Sequence, residues 1–182
     1  MALKRRITMD SIKEENTTLT PGQLSFIGLS NEYCQSIESV RETTREEFIA
    51  NMLRLLPRLY IVATDLPTSA FAEDSGYIEA SLDEDYYDSA RRGIEDLLGM
   101  DDTYLEVFEE DMKYSDTPIG ASISEGLCDI FQSLYNFLEM VKDSPVELII
   151  SALDAVKEEF ESYWSRILCN TLRAINNLRY NG

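Results

Sequence analysis

The sequence predicts an all-α fold: one domain of five or six helices packed as an irregular bundle. Two observations carry that expectation. A Ser or Thr followed three residues later by Glu or Gln recurs five times, each time opening a segment whose apolar residues return every three or four positions. The composition, 44% hydrophobic and 27% charged over 182 residues, is that of a soluble chain of single-domain length, able to bury roughly 70% of its unfolded surface.

Residues 1–19 are expected to form a flexible segment ahead of a domain spanning 20–182. The first box is Thr20-Pro21-Gly22-Gln23, with proline at the first helical position, where its missing N–H costs nothing. Phe26, Leu29, Tyr33, Ile37 and Val40 follow at helical spacing and give a helix near 21–41. Thr43 or Thr44 with Glu46 or Glu47 opens the second helix, near 44–65. Its stripe of Phe48, Met52, Leu55, Leu59, Val62 and Leu66 passes Pro57 without losing phase. One helix kinked at Pro57 is therefore expected, at a cost of about 3 kcal/mol.

Residues 67–80 read as the longest loop. Ser81-Leu82-Asp83-Glu84 is the third box, and Tyr86, Ala90, Ile94 and Leu97 carry a helix near 82–98 that Gly99 can cap. In 102–112, DTYLEVFEEDM, alternating Leu105 and Val107 suit a strand, while Tyr104, Leu105, Phe108 and Met112 suit one helical face. It reads as a short helix with a strand as the alternative, and 113–121 reads as a second loop. Ser122-Ile123-Ser124-Glu125 opens a helix near 123–142. Ser144-Pro145-Val146-Glu147 opens the last, near 145–178, more than thirty residues and about 45 Å long.

Net charge is −18 and unevenly spread. Residues 73–111 hold fifteen acids against Arg91 and Arg92, whereas 1–72 hold nine acids and eight bases. Such a chain repels phosphate backbones, which argues against direct nucleic-acid binding. The acidic stretch 73–111 should instead attract a basic protein surface or cations. No apolar run reaches membrane-spanning length and no signal-peptide pattern opens the chain, so a cytoplasmic location is expected. The three cysteines, Cys34, Cys128 and Cys169, lie far apart and suit buried reduced thiols.

There is no histidine. Ser-His and Cys-His nucleophiles and the commonest transition-metal ligand are thereby excluded. The phosphate-binding, dinucleotide, nucleophile-elbow and zinc-protease motifs are also missing. Chemistry would have to rest on carboxylates, and the best set is Glu106, Glu109, Glu125 and Asp129. Two helices presenting such pairs could hold Mg²⁺ through oxygen ligands. Helical nucleotide pyrophosphohydrolases use a related ExxE…ExxD arrangement, and SEGLCDIFQSLYNFL (124–138) is similar to their second metal helix, with ExxxD here in place of ExxD.

Arg54 and Arg58, four apart on one helix face, repel each other unless acids face them. They form either ion pairs, with 73–111 the expected source of partners, or an anion pocket. Tyr86-Tyr87 beside Asp83-Glu84-Asp85 is a candidate recognition surface, and Trp164 reads as core.

Three stretches taken together, LLPRLYIVATDLP (55–67), YLEVFEEDMKYSDTPIGASISEGLCDIFQSL (104–134) and FESYWSRILCNTLRAINNL (160–178), resemble the bacterial proteins grouped as domain of unknown function 5063. The resemblance implies a helical, single-domain cytosolic protein without an assigned activity. The functional expectation is a non-enzymatic interaction module that uses the acidic 73–111 surface. The alternative is a Mg²⁺-dependent nucleotide or phosphoester hydrolase.

Overall fold

The computed structural model describes residues 18–68, 77–106, 114 and 117–181. The expected flexible segment 1–19 lies almost wholly outside them, as do Glu109 and most of 107–116. The elements in chain order are α1 (Pro21–Glu38), α2 (Arg45–Thr64), α3 (Glu84–Leu98), β1 (Thr103–Leu105), β2 (Gly120–Ser122), α4 (Ile123–Val141), α5 (Val146–Glu159) and α6 (Ser165–Tyr180). A π-turn, Phe160–Trp164, joins α5 to α6, and short 3₁₀ turns follow α1 and α3. The fold is all-α, with one small hairpin.

Three helix starts follow the predicted chemistry. Thr20 accepts the Gln23 N–H while the Gln23 side chain accepts the Thr20 N–H, and Thr44 with Glu47 makes the same reciprocal pair. The Ser122 hydroxyl accepts the Glu125 N–H. The other two boxes do not form, because their hydroxyls and amides are used elsewhere. The N–H groups of Ser81 and Leu82 both donate to Asn136 Oδ1 of α4, and the Asp83 carboxylate caps α3 through the Asp85 N–H. Ser144 turns its hydroxyl back to the Met140 carbonyl, 2.7 Å away, so Pro145 stands at the α5 start without a side-chain cap. At the other end of α3, Gly99 adopts φ +60°, a conformation glycine accepts without steric cost.

The helix expected over 102–112 is a correction. Thr103–Leu105 is a strand, paired antiparallel with β2 in the register Thr103↔Ser122, Tyr104↔Ala121 and Leu105↔Gly120. The Glu106 N–H extends the ladder to the Ile119 carbonyl at 2.9 Å, so Glu106 is not on a helix face shared with Glu109. Residues 107–112 lie outside the described set. The single long terminal helix is present as α5, the π-turn and α6, running from Val146 to Tyr180. The π-turn shifts the apolar stripe by a residue and seats both Phe160 and Trp164 in the core, with ring centroids 4.5 Å apart. α2 runs through Pro57 without a break.

α4 is the central helix. α1, α3, α5 and α6 all pack on it, while α2 packs against α1 and α6. Leu127, Ile130, Phe131, Leu134 and Phe137 of α4 are fully buried, joined by Phe26 and Tyr33 of α1 and by Met52, Leu55 and Leu59 of α2. Tyr33 satisfies its hydroxyl on the Leu127 carbonyl at 2.8 Å, and burial pushes its acidity well below that of an ordinary tyrosine. The α4–α6 crossing is close: a Cβ on Gly126 would overlap Thr171 Oγ1, so a larger residue there would make the Thr171 side chain or one helix move.

α4 begins against Asp102. This buried carboxylate accepts both the Ser124 N–H and the Ser124 hydroxyl, each at 2.7 Å, where the helix dipole favours negative charge. The hairpin and α3 are thereby tied to the head of the central helix.

Candidate functional site

The acidic region divides into a neutralised part and an open part. Arg91 lies 2.9 Å from Glu95 and 3.6 Å from Asp88, and Arg92 reaches Asp88 at 3.3 Å. Arg45 of α2 meets Asp101 at 2.5 Å, and Arg41 donates to the Ser89 carbonyl. Arginines on and beside α3 thus offset its C-terminal half. Its N-terminal approach has no such partners. Glu79, Asp83, Glu84 and Asp85 are exposed and make no ion pair among the described residues.

Sequence and local physics place those acids. Asp83 is drawn to the helix start by capping, while Glu84 and Asp85 gain from the positive end of the dipole. Two tyrosines flank them, Tyr77 at 81% exposure and Tyr86 at 39%. Tyr86 is fixed from behind by edge-to-face contacts with Phe131 and Tyr135 and donates its hydroxyl to Glu38 at 2.8 Å. Partial burial, then that carboxylate, push its pKa up to about 12, so it is a neutral donor at physiological pH. Of the two adjacent tyrosines, Tyr86 is the more exposed and Tyr87 is partly buried.

Tyr87 belongs to a second feature, a cleft of about 150 Å³ where the β-hairpin, α4 and α6 meet. Glu106, Glu125 and Asp129 line it together with Tyr104, Arg166 and Asn170. The structure therefore brings together three of the four carboxylates singled out in the sequence. Glu109 lies outside the described residues.

Their geometry is that of a hydrogen-bonded wall. Tyr87 donates to Asp129 Oδ1 at 2.8 Å, and the Tyr163 hydroxyl lies near enough to favour the charged form of Asp129. Burial raises the Asp129 pKa above the usual carboxylate value, partly offset by those two hydroxyls. Glu106 is buried and accepts the Tyr104 hydroxyl at 3.2 Å. Among the described residues no group of three His, Cys, Asp or Glu side chains converges closely enough to hold a metal ion. The Tyr87 hydroxyl engages one Asp129 oxygen, so that oxygen serves as a hydrogen-bond acceptor.

Arg58 meets Glu32 of α1 at 3.5 Å, not an acid of 73–111, and both side chains are at least half exposed. Arg54 is exposed and makes no ion pair among the described residues. Both arginines are exposed, and Arg58 sits beside α1. The anticipated pairing across to 73–111 is made instead by Arg45. Its start-of-helix position gave no cue, because its partner Asp101 is 56 residues away. Tyr87 and Asp102 were likewise not singled out for the bonds they make. Each meets its partner across 22 to 42 residues.

Fold and surface together define a helical single-domain protein with an acidic, tyrosine-flanked strip and a small polar cleft. The chain belongs to the family described as domain of unknown function 5063, which matches residues 19–181. Among solved structures it is similar to protein BF1032 from Bacteroides fragilis, at 25% identity and a TM-score of 0.75, over 89% of this chain and 94% of that one. No curated protein matches. No helix among the described residues is long and apolar enough to cross a membrane.

Proposed function

We propose that the protein is a non-enzymatic interaction module that docks a basic protein surface on the strip Tyr77–Tyr86. One observation carries the reading: Glu79, Asp83, Glu84 and Asp85 stand exposed without basic partners among the described residues, while Asp88, Glu95 and Asp101 further along are paired with arginines. Unpaired carboxylates grouped within seven residues raise the local potential and steer cationic partners. Tyr77 and Tyr86 add flat amphipathic area of the kind that anchors interfaces.

The test is a titration of a fluorescent Lys/Arg-rich peptide by the wild-type chain and by the E79Q/E84Q/D85Q variant, at about 50 and 300 mM salt. Binding that weakens with salt and is lost in this variant supports the reading. Control substitutions E147Q/E158Q/E161Q, on α5 and the π-turn, remove equal charge elsewhere. Equal loss in both variants would reduce the effect to net charge and contradict the assignment.

The second reading, a Mg²⁺-dependent hydrolase, has in its favour that Glu106, Glu125 and Asp129 line one cleft. Tyr87 already donates to Asp129 Oδ1 at 2.8 Å and would compete with the ion for that oxygen. Calorimetry with millimolar Mg²⁺ decides it, since heat of binding abolished by Asp129→Asn would revive that reading.

A further inference from the structure

A groove of about 600 Å³ lies where β1 meets the C-terminal half of α6. Three consecutive residues of β1, Thr103 to Leu105, line it and none of β2 does, so it runs along the edge of β1 that the hairpin leaves unpaired. The ladder fixes what that edge offers. The Glu106 N–H bonds to the Ile119 carbonyl, so Glu106 and Tyr104 turn their backbone groups to the β2 side, and Leu105 turns its N–H and C=O away. Neither Leu105 group has a partner among the described residues. No proline or lysine stands on β1 to blunt the edge. Across the groove, Arg173 and Asn177 stand one turn apart on α6, and Asn181 follows at its end. All three are exposed, and their side chains make no hydrogen bond or ion pair among the described residues. The acid in the lining, Asp101, is already held by Arg45.

We infer that this groove binds an extended peptide, which adds as a third strand to the edge of β1 and sets a carboxylate against Arg173. Hydrogen-bond complementarity selects that occupant. An outward N–H and C=O on one strand residue match the alternation of another extended backbone. The far edge of such a peptide carries N–H and C=O groups of its own. A carboxamide holds a donor and an acceptor on one carbon and meets both, and Asn177 and Asn181 supply two of them. Charge selects the side chain, because Arg173 is a cation of the groove with no acid of its own. The site is separate from the strip Tyr77–Tyr86 and reads backbone instead of basic side chains, so neither assignment rests on the other.

The probe is a capped peptide of alternating threonine and valine with one central glutamate, titrated into the isotope-labelled full chain. Amide shifts are followed into the millimolar range at about 0.15 M salt. Saturating shifts at 103–105 and 173–181 are expected, and the same shifts in the E79Q/E84Q/D85Q variant. Leu105→Pro removes the outward N–H but no bond to β2, so the circular dichroism should be unchanged and binding lost. Methylating the peptide's own N–H groups tests the same bonds from the ligand side and should also abolish binding. Arg173→Gln should weaken the glutamate peptide about threefold and leave its glutamine analogue unaffected. No saturating shifts, or shifts that survive Leu105→Pro or peptide methylation, overturn the inference. So does an Arg173→Gln variant that treats the two peptides as the wild type does. Shifts at 103–105 that follow protein concentration without peptide would put a second copy on the edge, and they overturn it too.

Discussion

Replacing Gly126 by alanine tests the packing of the central helix, and its effect can be worked from the geometry. An alanine Cβ there would overlap Thr171 Oγ1 and lie 3.4 Å from Ile167 Cγ2 and 3.6 Å from Thr171 Cβ. In an unobstructed helix interior the change from glycine would stabilise by about 1 kcal/mol. The overlap forces a rotamer change at Thr171 or a separation of α4 from α6, at about 1–3 kcal/mol. The contact atoms are short side chains at a buried crossing and have little room to yield, so a net loss of about 1–2 kcal/mol is expected. For a chain of this size that lowers Tm by roughly 3–6 °C. Removing the obstacle should reverse the sign. In a Thr171→Ala background, Gly126→Ala should be neutral or stabilising, giving a coupling of about 2 kcal/mol in a double-mutant cycle. Urea unfolding followed by circular dichroism supplies all four corners. A Gly126→Ala variant as stable as the wild type, in a wild-type background, would refute the close crossing.

Asp102→Ala should lower stability by about 3 kcal/mol in urea unfolding, because two charge-assisted bonds at the head of α4 are lost together. Asp96→Ala, an exposed acid, should change it by less than about 0.5 kcal/mol. Asp129, whose pKa burial raises in the fold, contributes stability while protonated and loses it as pH rises through the carboxylate range from its ordinary value near 3.8. Urea midpoints of the wild type should therefore fall more between pH 4 and 7 than those of Asp129→Asn, and parallel slopes would contradict the assignment. Burial pushes the Cys128 thiol up to about 12 and Cys34 higher still, whereas Cys169 is exposed. One thiol per native chain should react with a disulfide reagent and three in urea, with Cys169→Ser removing the native signal.

Helices were legible where local chemistry decides. The Thr20 and Thr44 boxes and the unbroken stripe through Pro57 need only neighbours within a turn or two, and all three appear in the structure. Ser81 and Ser144 show the limit. Their patterns match the rule, but Asn136 and the Met140 carbonyl, brought close by the tertiary fold, compete for the same groups. The strand at Thr103–Leu105 was ambiguous in sequence because three residues carry almost no period, and Tyr104 and Leu105 suit a helix face as well. Two carboxylates of the cleft, Glu125 and Asp129, could be named from sequence because acids one turn apart on α4 share a face, whereas Glu106 was named on a helical spacing with Glu109 that the strand replaces. That Tyr87 holds Asp129 could not be read, because the two lie 42 residues apart and meet only in the tertiary fold.

The most direct test of the docking account is a map of amide shifts in the isotope-labelled chain titrated with the basic peptide. The account predicts perturbations concentrated at Tyr77–Tyr86 and the adjoining first turn of α3, fading as salt rises. Shifts centred instead on Glu106, Glu125 and Asp129, or scattered over every acidic surface in proportion to charge, would contradict it.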